Sequence, residues 1–481
     1  MSPKLNRRQF IGAGLATGFT LSFPAPALIG QNPNGKIRLA SISCGSRANQ
    51  LMNIFREQPE IDIVGLCDPD AKRMDATKQK FEVEKTFSDP RDLLEDKNID
   101  AVIVATCNHW HCLGAVWAMQ AGKDVYVEKP LAHNPWEGVQ TVKAARKYKR
   151  VCQVGTQQRS DPMQAEIKDF LFQEKALGNI LTARVNHYSI RQPVGKRDTP
   201  LEIPAEVNYD LWLGPAQDQP LYRNQLHYDW HWDWNTGCGE MGNWGVHVLD
   251  DCRNNVLQDA LPFPKRILAG GGRVGYNDAA QTPNIHFVYF DTGSIPVVLG
   301  LSNLQDGPDS KSAGKHPGPG SGYIAYCEGG RLEGQRGRAV AYDKDGKEIK
   351  QFKGTCGEPN HVQNFIKAVL AQDSSLLNAE VKTGHESSGW CNLANIAVRA
   401  GKAYAETQVP EANDIWEDVV TNLQQVLAHN NLSLDNKDIT MSSLLSLDPQ
   451  TGIFVGEGAE TANAFQKREF RAGYEVPEIQ D

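Results

Sequence analysis

The turn Ser43-Cys44-Gly45-Ser46-Arg47-Ala48 lies between an apolar, strand-like run from residue 36 and a segment whose Ala48, Leu51, Met52 and Phe55 have helical spacing. A strand that becomes a helix through such a loop has a chemical use. The missing side chain at Gly45 lets the backbone approach a pyrophosphate, and Ala48 permits close helix–strand packing. The free N–H groups of the helix's first turn attract phosphate oxygens, with Ser46 and Arg47 beside them. Ser43 stands where the first glycine of a GxGxxG loop would be. The next strand-like run, IDIVGLCD, ends at Asp68, 20 residues beyond Ala48. A carboxylate at that distance can accept hydrogen bonds from ribose hydroxyls and repels a 2′-phosphate. The pattern predicts NAD, with NADP left open by Arg47 and Arg73. A second cluster, LHYDWHWDWNTG, carries Trp230, Trp232 and Trp234, with His227, Asp229, His231 and Asp233 between them. Indole faces can stack on sugar rings while the polar groups bond hydroxyls, although tryptophans equally fill cores. Alternation predicts that the three indoles share one face of an extended segment. Gln157, Gln158 and Arg159 follow another strand-like run and could reach the same pocket. His109-Trp110-His111-Cys112 looks like half of a metal site, but no second half exists, so no metal is predicted.

These residues need a scaffold that brings them together. Strand-like and helix-like segments alternate through KIRLASIS, IDIVGLCD, DAVIVAT, DVYVEKP and VCQVG. Between the last two, Asn134-Pro135-Trp136-Glu137 supplies an N-cap, a proline at the first helical position and an acid, and opens a helix to Tyr148. A further helix is expected from His111 to Ala121. Repeated strand–helix units predict a doubly wound parallel sheet over 36–155, whose ligands sit at the carboxyl ends of strands. Gly45, Asp68, Thr106 and Lys129 all fall there. From residue 156 the pattern changes. A helix is expected from Asp161-Pro162 to Gly178. Long strand-like runs without intervening helices then predict an α+β domain over 156–481 with a large, open, mostly antiparallel sheet. KSAGKHPGPGSG reads as a flexible loop, a candidate lid. Helical spacing returns near 361–371, 391–405 and 415–429.

Three features together resemble the glucose–fructose oxidoreductase/inositol dehydrogenase (Gfo/Idh/MocA) family. They are the glycine turn with Asp68, the pair DAVIVATCNHWH and GKDVYVEKPLA, and GEMGNWGVHVLD in the second domain. The likeness runs from Lys36 to about Lys402. It implies an NAD(P)-dependent oxidoreductase acting on CH–OH groups of a sugar or polyol. It implies that Lys129, in Glu128-Lys129-Pro130, is the catalytic acid–base, and that Glu128 and Lys129 border the cofactor. It implies backbone contacts to the cofactor at Thr106-Cys107-Asn108, with His111 nearby. An Asp and a His four residues apart in the family correspond to Asn243 and His247 here, so Asn243 is a departure: it cannot accept a proton or hold charge. His247 would orient or protonate the reacting oxygen. A homo-oligomer is also implied. An NAD-dependent glycosidase working through a transient 3-keto sugar, and a non-catalytic sugar-binding protein, are the alternatives.

The chain of 481 residues is too long for one core, and its formal net charge of −8 excludes non-specific nucleic-acid binding. Residues 1–27 read as an export signal. Arg7-Arg8 precedes a mild apolar stretch and then Ala25-Pro26-Ala27, the order expected of a twin-arginine peptide. A periplasmic protein without a membrane anchor after signal removal is predicted, because no later run is long and apolar enough to span a bilayer. The signal, VGTQQRS, the tryptophan-rich insert and the terminal QKREFRAGYEVP look like a secreted branch of the family. The ten cysteines form no CxxC pair and are expected to be mostly free and buried.

Overall fold

In the computed structural model, which describes residues 35–409 and 411–480, two sheets organise the chain. The expected export signal lies outside these residues. The first sheet has six parallel strands: β1 (Ile37–Ile42), β2 (Ile61–Cys67), β3 (Thr86–Phe87), β4 (Ala101–Val104), β5 (Asp124–Val127) and β6 (Cys152–Val154). Their order, β3-β2-β1-β4-β5-β6, reverses between β1 and β4, which opens a crevice at the carboxyl ends. The crossovers are α1 (Ser46–Arg56), α2 (Ala71–Phe81), α3 (Pro90–Glu95), α4 (Asn108–Gln120) and α5 (Pro135–Tyr148). α1 buries Ala48, Leu51, Met52 and Phe55, the stripe that the spacing predicts. Asp70, Asp89 and Asn134 cap α2, α3 and α5 by accepting the N–H groups of Arg73, Arg91 and Glu137. α4 starts at Asn108, earlier than expected, with Cys107 as its cap residue.

After β6 a 3-10 turn, Gln157–Ser160, leads into α6 (Met163–Lys168). The helix expected to reach Gly178 widens at Asp169–Gln173 into a π turn, which lets the consecutive Phe170 and Leu171 both be buried. The second sheet has twelve strands. They are β7 (Ile180–Tyr188), β8 (Arg266–Gly272), β9 (Ile285–Asp291), β10 (Val297–Ser302), β11 (Ser321–Cys327), β12 (Gly330–Gln335), β13 (Arg338–Asp343), β14 (Glu348–Lys353), β15 (Lys402–Ala403), β16 (Ile439–Met441), β17 (Leu445–Leu447) and β18 (Phe454–Val455). β7 and β10 pair in parallel and the other pairs are antiparallel. The insert between β7 and β8 holds α7 (Tyr209–Leu213), the tryptophan cluster and α8 (Val246–Asn255).

Later helices build the layers. α9 (Glu358–Ala371) puts Val362, Phe365, Ile366 and Val369 against Leu39, Phe55 and Tyr126, so it closes one face of the first sheet. α10 (Val381–Ala400) packs with α6 and α8 on one face of the second sheet through Trp390, Leu393 and Ala397. α11 (Asn413–His429) covers the opposite face with Trp416, Val419 and Leu423 on Phe287, Tyr289 and Val298. The terminal residues Tyr474, Val476 and Ile479 join Trp110, Leu113 and Val116 of the first domain. Thus the 36–155 core takes two of its covers from far along the chain. The candidate lid at 311–322 is not over the crevice. Ala313 belongs to the α11 layer, Asn186 donates to the Pro317 and Pro319 carbonyls, and His316 stacks on Tyr188. All ten cysteines are free; eight are buried, Cys107 is half-buried and Cys356 is exposed.

Candidate active site

A crevice of about 320 Å³ sits at the carboxyl ends of β1, β2, β4 and β5, roofed by α7, the 227–231 segment and Asn243. The first sheet sends Ser43, Gly45, Ser46 and Arg47 into it, then Asp68, then Thr106, Asn108 and His111, then Glu128 and Lys129. Ala48 lies beneath, fully buried in the helix–sheet contact. Gly45 has an ordinary φ of −70°, and a methyl group there would meet only Ser43 Oγ at 3.3 Å and Arg73 Nη1 at 3.5 Å. The backbone therefore does not require glycine, and the space it leaves opens on the crevice. No side chain caps α1 and no acid lies in its first turn, so its N–H groups remain for an anion. Asp68, 7% exposed, accepts from Cys44 N–H at 2.6 Å and from Asp70 N–H at 2.9 Å. Burial pushes its carboxyl up to about 6 against these backbone bonds and Arg73. Each oxygen keeps a lone pair for a hydroxyl. These residues fit a dinucleotide.

Lys129 reaches the crevice as the motif requires. Its Nζ donates to the Asn243 carbonyl at 2.9 Å and to Asn243 Oδ1 at 3.3 Å. Burial pushes the amine down to about 8; Glu128 and Glu240 oppose that, while Arg47 and Arg336 reinforce it. Glu128 turns elsewhere: it accepts from Arg47 Nε at 2.6 Å and from the Lys129 backbone N–H at 3.1 Å. Burial would raise its pKa, but Arg47 and Lys129 hold it below the usual range. Gly155 makes room for this carboxylate, since a Cβ there would stand 2.9 Å from it. Arg47 also pairs with Glu358 at 2.8 Å, so it serves as a brace inside the crevice wall. The ring of His111 lies between the Pro130 carbonyl at 2.7 Å and the Thr106 carbonyl at 3.1 Å, tying the lysine turn to the β4 turn.

Several expected substrate contacts fall elsewhere. Arg159, buried, bonds Asp250 and Asp259, and Gln157 donates to Glu358. Both brace the joint between the sheets. The tryptophans do not alternate on one face, because Asp229–Trp232 winds into a 3-10 turn. Trp230 lines the crevice, Trp232 is buried beside Arg191 and Tyr228, and Trp234 faces Arg399 on the other side. His247 does not itself line the crevice. Its helix begins with a π turn, Met241–Gly245. Asn243 lines the crevice, and the buried His247 behind it meets Arg336 and the edge of Trp244; burial, Arg336 and the nearby Lys129 lower its pKa.

The histidine beside Trp230 on the crevice wall is His231. Its Nδ1 lies 2.6 Å from the Tyr228 carbonyl and so carries the proton, which leaves Nε2 as an acceptor. The ring stacks on Trp230 at 3.6 Å and borders the crevice with Lys129. Burial lowers its pKa to about 3, so it stays neutral. Behind Asn243, the buried Glu240 accepts from Asn243 Nδ2 at 3.3 Å, His187 at 2.9 Å and Arg191 at 3.0 Å. Burial opposes ionisation there, but His187 and Arg191 outweigh it and hold the pKa at about 2. This Glu240–Arg191–His187 support was not legible in sequence, because Glu240 stands 53 and 49 residues along the chain from its two partners, His187 and Arg191.

The fold and crevice define a two-domain dinucleotide-binding oxidoreductase architecture. The family model for the oxidoreductase family's NAD-binding Rossmann fold matches residues 37–156, and that for its C-terminal alpha/beta domain matches 173–310. Together they span more than half of the chain, which belongs to the Gfo/Idh/MocA oxidoreductase family. It is 32% identical over 131 residues to an inositol 2-dehydrogenase of Salmonella typhimurium, covering 27% of this chain and 39% of the relative. It is 32% identical over 159 residues to a glycosyl hydrolase family 109 protein of Solibacter usitatus, covering 30% and 36%. The chain thus spans about two fifths of the length of these curated relatives. The WlbA dehydrogenase of Bordetella pertussis, solved with NADH and UDP-GlcNAcA, shares the fold with a TM-score of 0.54 at 17% identity, over 73% of this chain and 93% of that one.

Proposed function

We propose that the chain is an NAD-dependent oxidoreductase that moves hydride to or from a secondary hydroxyl or ketone carbon of a sugar or polyol. The observation that carries this is the Lys129 amine, lowered to about 8, in a crevice whose glycine turn, free helix N-terminus and Asp68 fit a dinucleotide. Bound NAD supplies the hydride acceptor. Lys129 takes the hydroxyl proton as the carbon is oxidised and returns it to the carbonyl oxygen in reverse. Asn243 aims the amine through two acceptors and cannot carry the proton onward. His231 Nε2 accepts a neighbouring hydroxyl, and Trp230 gives the ring a flat face. Similarity to inositol 2-dehydrogenases supports a polyol or sugar substrate. The test is absorbance at 340 nm with purified protein, NAD and a panel of sugars and cyclitols. No change with any of them, and no hydride exchange between two sugars, sinks this reading.

Similarity to glycosyl hydrolase family 109 proteins favours a second reading, in which a transient 3-keto sugar acidifies the adjacent C–H and the aglycone is eliminated. Release of nitrophenol from aryl glycosides identifies that activity. We also propose twin-arginine export to the periplasm, supported by Arg7-Arg8 and Ala25-Pro26-Ala27. Replacing both arginines by lysine retains the protein in the cytoplasmic fraction if this is right. Assembly as a homo-oligomer, which the family resemblance implies, is tested by sedimentation.

A further inference from the structure

The 230–238 segment walls two cavities. Trp230 and His231 face the crevice, while Trp234 and Asn235 face a second cavity of about 390 Å³. This second cavity is cationic. Arg399, at the end of α10, and Lys467 and Arg468, from the terminal segment, line it, with Glu469 as the opposing carboxylate. The Arg399 guanidinium lies between the rings of Trp234 and Phe465, 4.9 and 4.1 Å from their centroids. It is an exposed residue with no ion pair or hydrogen-bond partner among the described residues, so no protein group takes its five N–H donors. Arg468 donates to the Asn235 carbonyl at 2.9 Å, to Asn235 Oδ1 at 3.0 Å and to the Pro215 and Glu469 carbonyls; it has no carboxylate partner among the described residues. Neutral His133 accepts from Arg468 at Nδ1 and meets the Gly237 carbonyl at Nε2. Burial lowers the pKa of both arginines; for Arg468 it outweighs the pull of Glu137. Partly desolvated guanidinium groups are ordinarily matched by an acid. Arg468 spends its fork on the protein, whereas the Arg399 fork faces the open cavity.

We propose that this cavity binds an oxyanion carried by a small organic molecule, an acidic sugar such as a uronate being the class that suits its size and its indole wall. A bare inorganic anion would leave most of the volume empty, whereas cavities of roughly 300–1,000 Å³ hold small organic ligands. The site is separate from the crevice and does not depend on the chemistry at Lys129.

The test is calorimetry on the exported-form protein with glucuronate, inorganic sulfate and glucose, in the parent and in Arg399→Gln and Arg468→Gln. The expected result is one glucuronate equivalent whose affinity falls about tenfold or more in Arg399→Gln, weakens with added salt, and leaves NAD affinity unchanged. Sulfate binding as tightly as glucuronate, with the same loss in Arg399→Gln, supports the oxyanion site and discards the sugar ring. Glucuronate binding equally to parent and Arg399→Gln, or not binding at all, overturns the proposal. Arg468→Gln removes bonds to Asn235 and can cost stability; Arg399→Gln removes no hydrogen bond and decides the matter alone.

Discussion

The amine of Lys129 is the residue on which the chemistry turns. Its pKa of about 8 fixes the sign of the pH dependence. Below 8 it is an ammonium and cannot take a proton, so sugar oxidation rises as pH increases through that value, and ketone reduction, which needs the proton, falls. Initial rates in both directions check this. Lys129→Ala should lower kcat/KM by about 10²–10⁴-fold while NAD affinity changes little. Asn243→Asp places a carboxylate where Oδ1 now lies 3.3 Å from the amine. Opposite charge favours the ammonium, so the alkaline limb should move upward by about one pH unit. His231 lines the crevice, so His231→Ala should cost catalysis, as steady-state kinetics would reveal. Sequence spacing pointed to His247 because an α-helix puts i and i+4 on one face. The π turn at Met241–Gly245 widens the start of that helix, and no residue type in GEMGNWG announces it.

At the scale of elements, two glycines do different work. Gly45→Ala meets only neighbours at 3.3 and 3.5 Å, so it should change stability by less than about 1 kcal/mol yet weaken NAD binding. Thermal melting and cofactor titration on the same sample distinguish the two effects. Gly214, after α7, has φ +48° and a Cβ there would collide with the Trp110 indole, whose Nε1 donates to the Leu211 and Trp212 carbonyls. Gly214→Ala should therefore destabilise by roughly 2–3 kcal/mol, read by denaturant unfolding, because both backbone strain and overpacking oppose it. Strand and helix positions in the first sheet were legible because buried parallel strands read as short apolar runs and the caps at Asp70, Asp89 and Asn134 follow local rules. The tryptophan segment was not, since 229–232 winds by its tertiary contacts rather than by its alternation.

Across the whole molecule, the first domain depends on chain that arrives last. Tyr474, Val476 and Ile479 are each buried at 5% exposure or less, against α4 and α5. Ending the chain after Asn463 should cost roughly 4–8 kcal/mol by uncovering these and the faces beneath them, with a large fall in the melting temperature. A truncated protein that melts like the parent would remove the tail from the fold's essential parts. The amino-acid order alone determined the doubly wound sheet, the glycine turn with Asp68, the lysine at a strand end and a second, mostly antiparallel sheet, because each rests on local periodicity, capping or a contiguous motif. Only the tertiary structure decided that His231 lines the crevice, that Arg159 and Gln157 brace the joint instead of substrate, and that α9 and the tail close the first domain. Those outcomes depend on contacts between residues hundreds of positions apart and on two π turns whose winding follows from packing, and neither leaves a periodic trace in the chain.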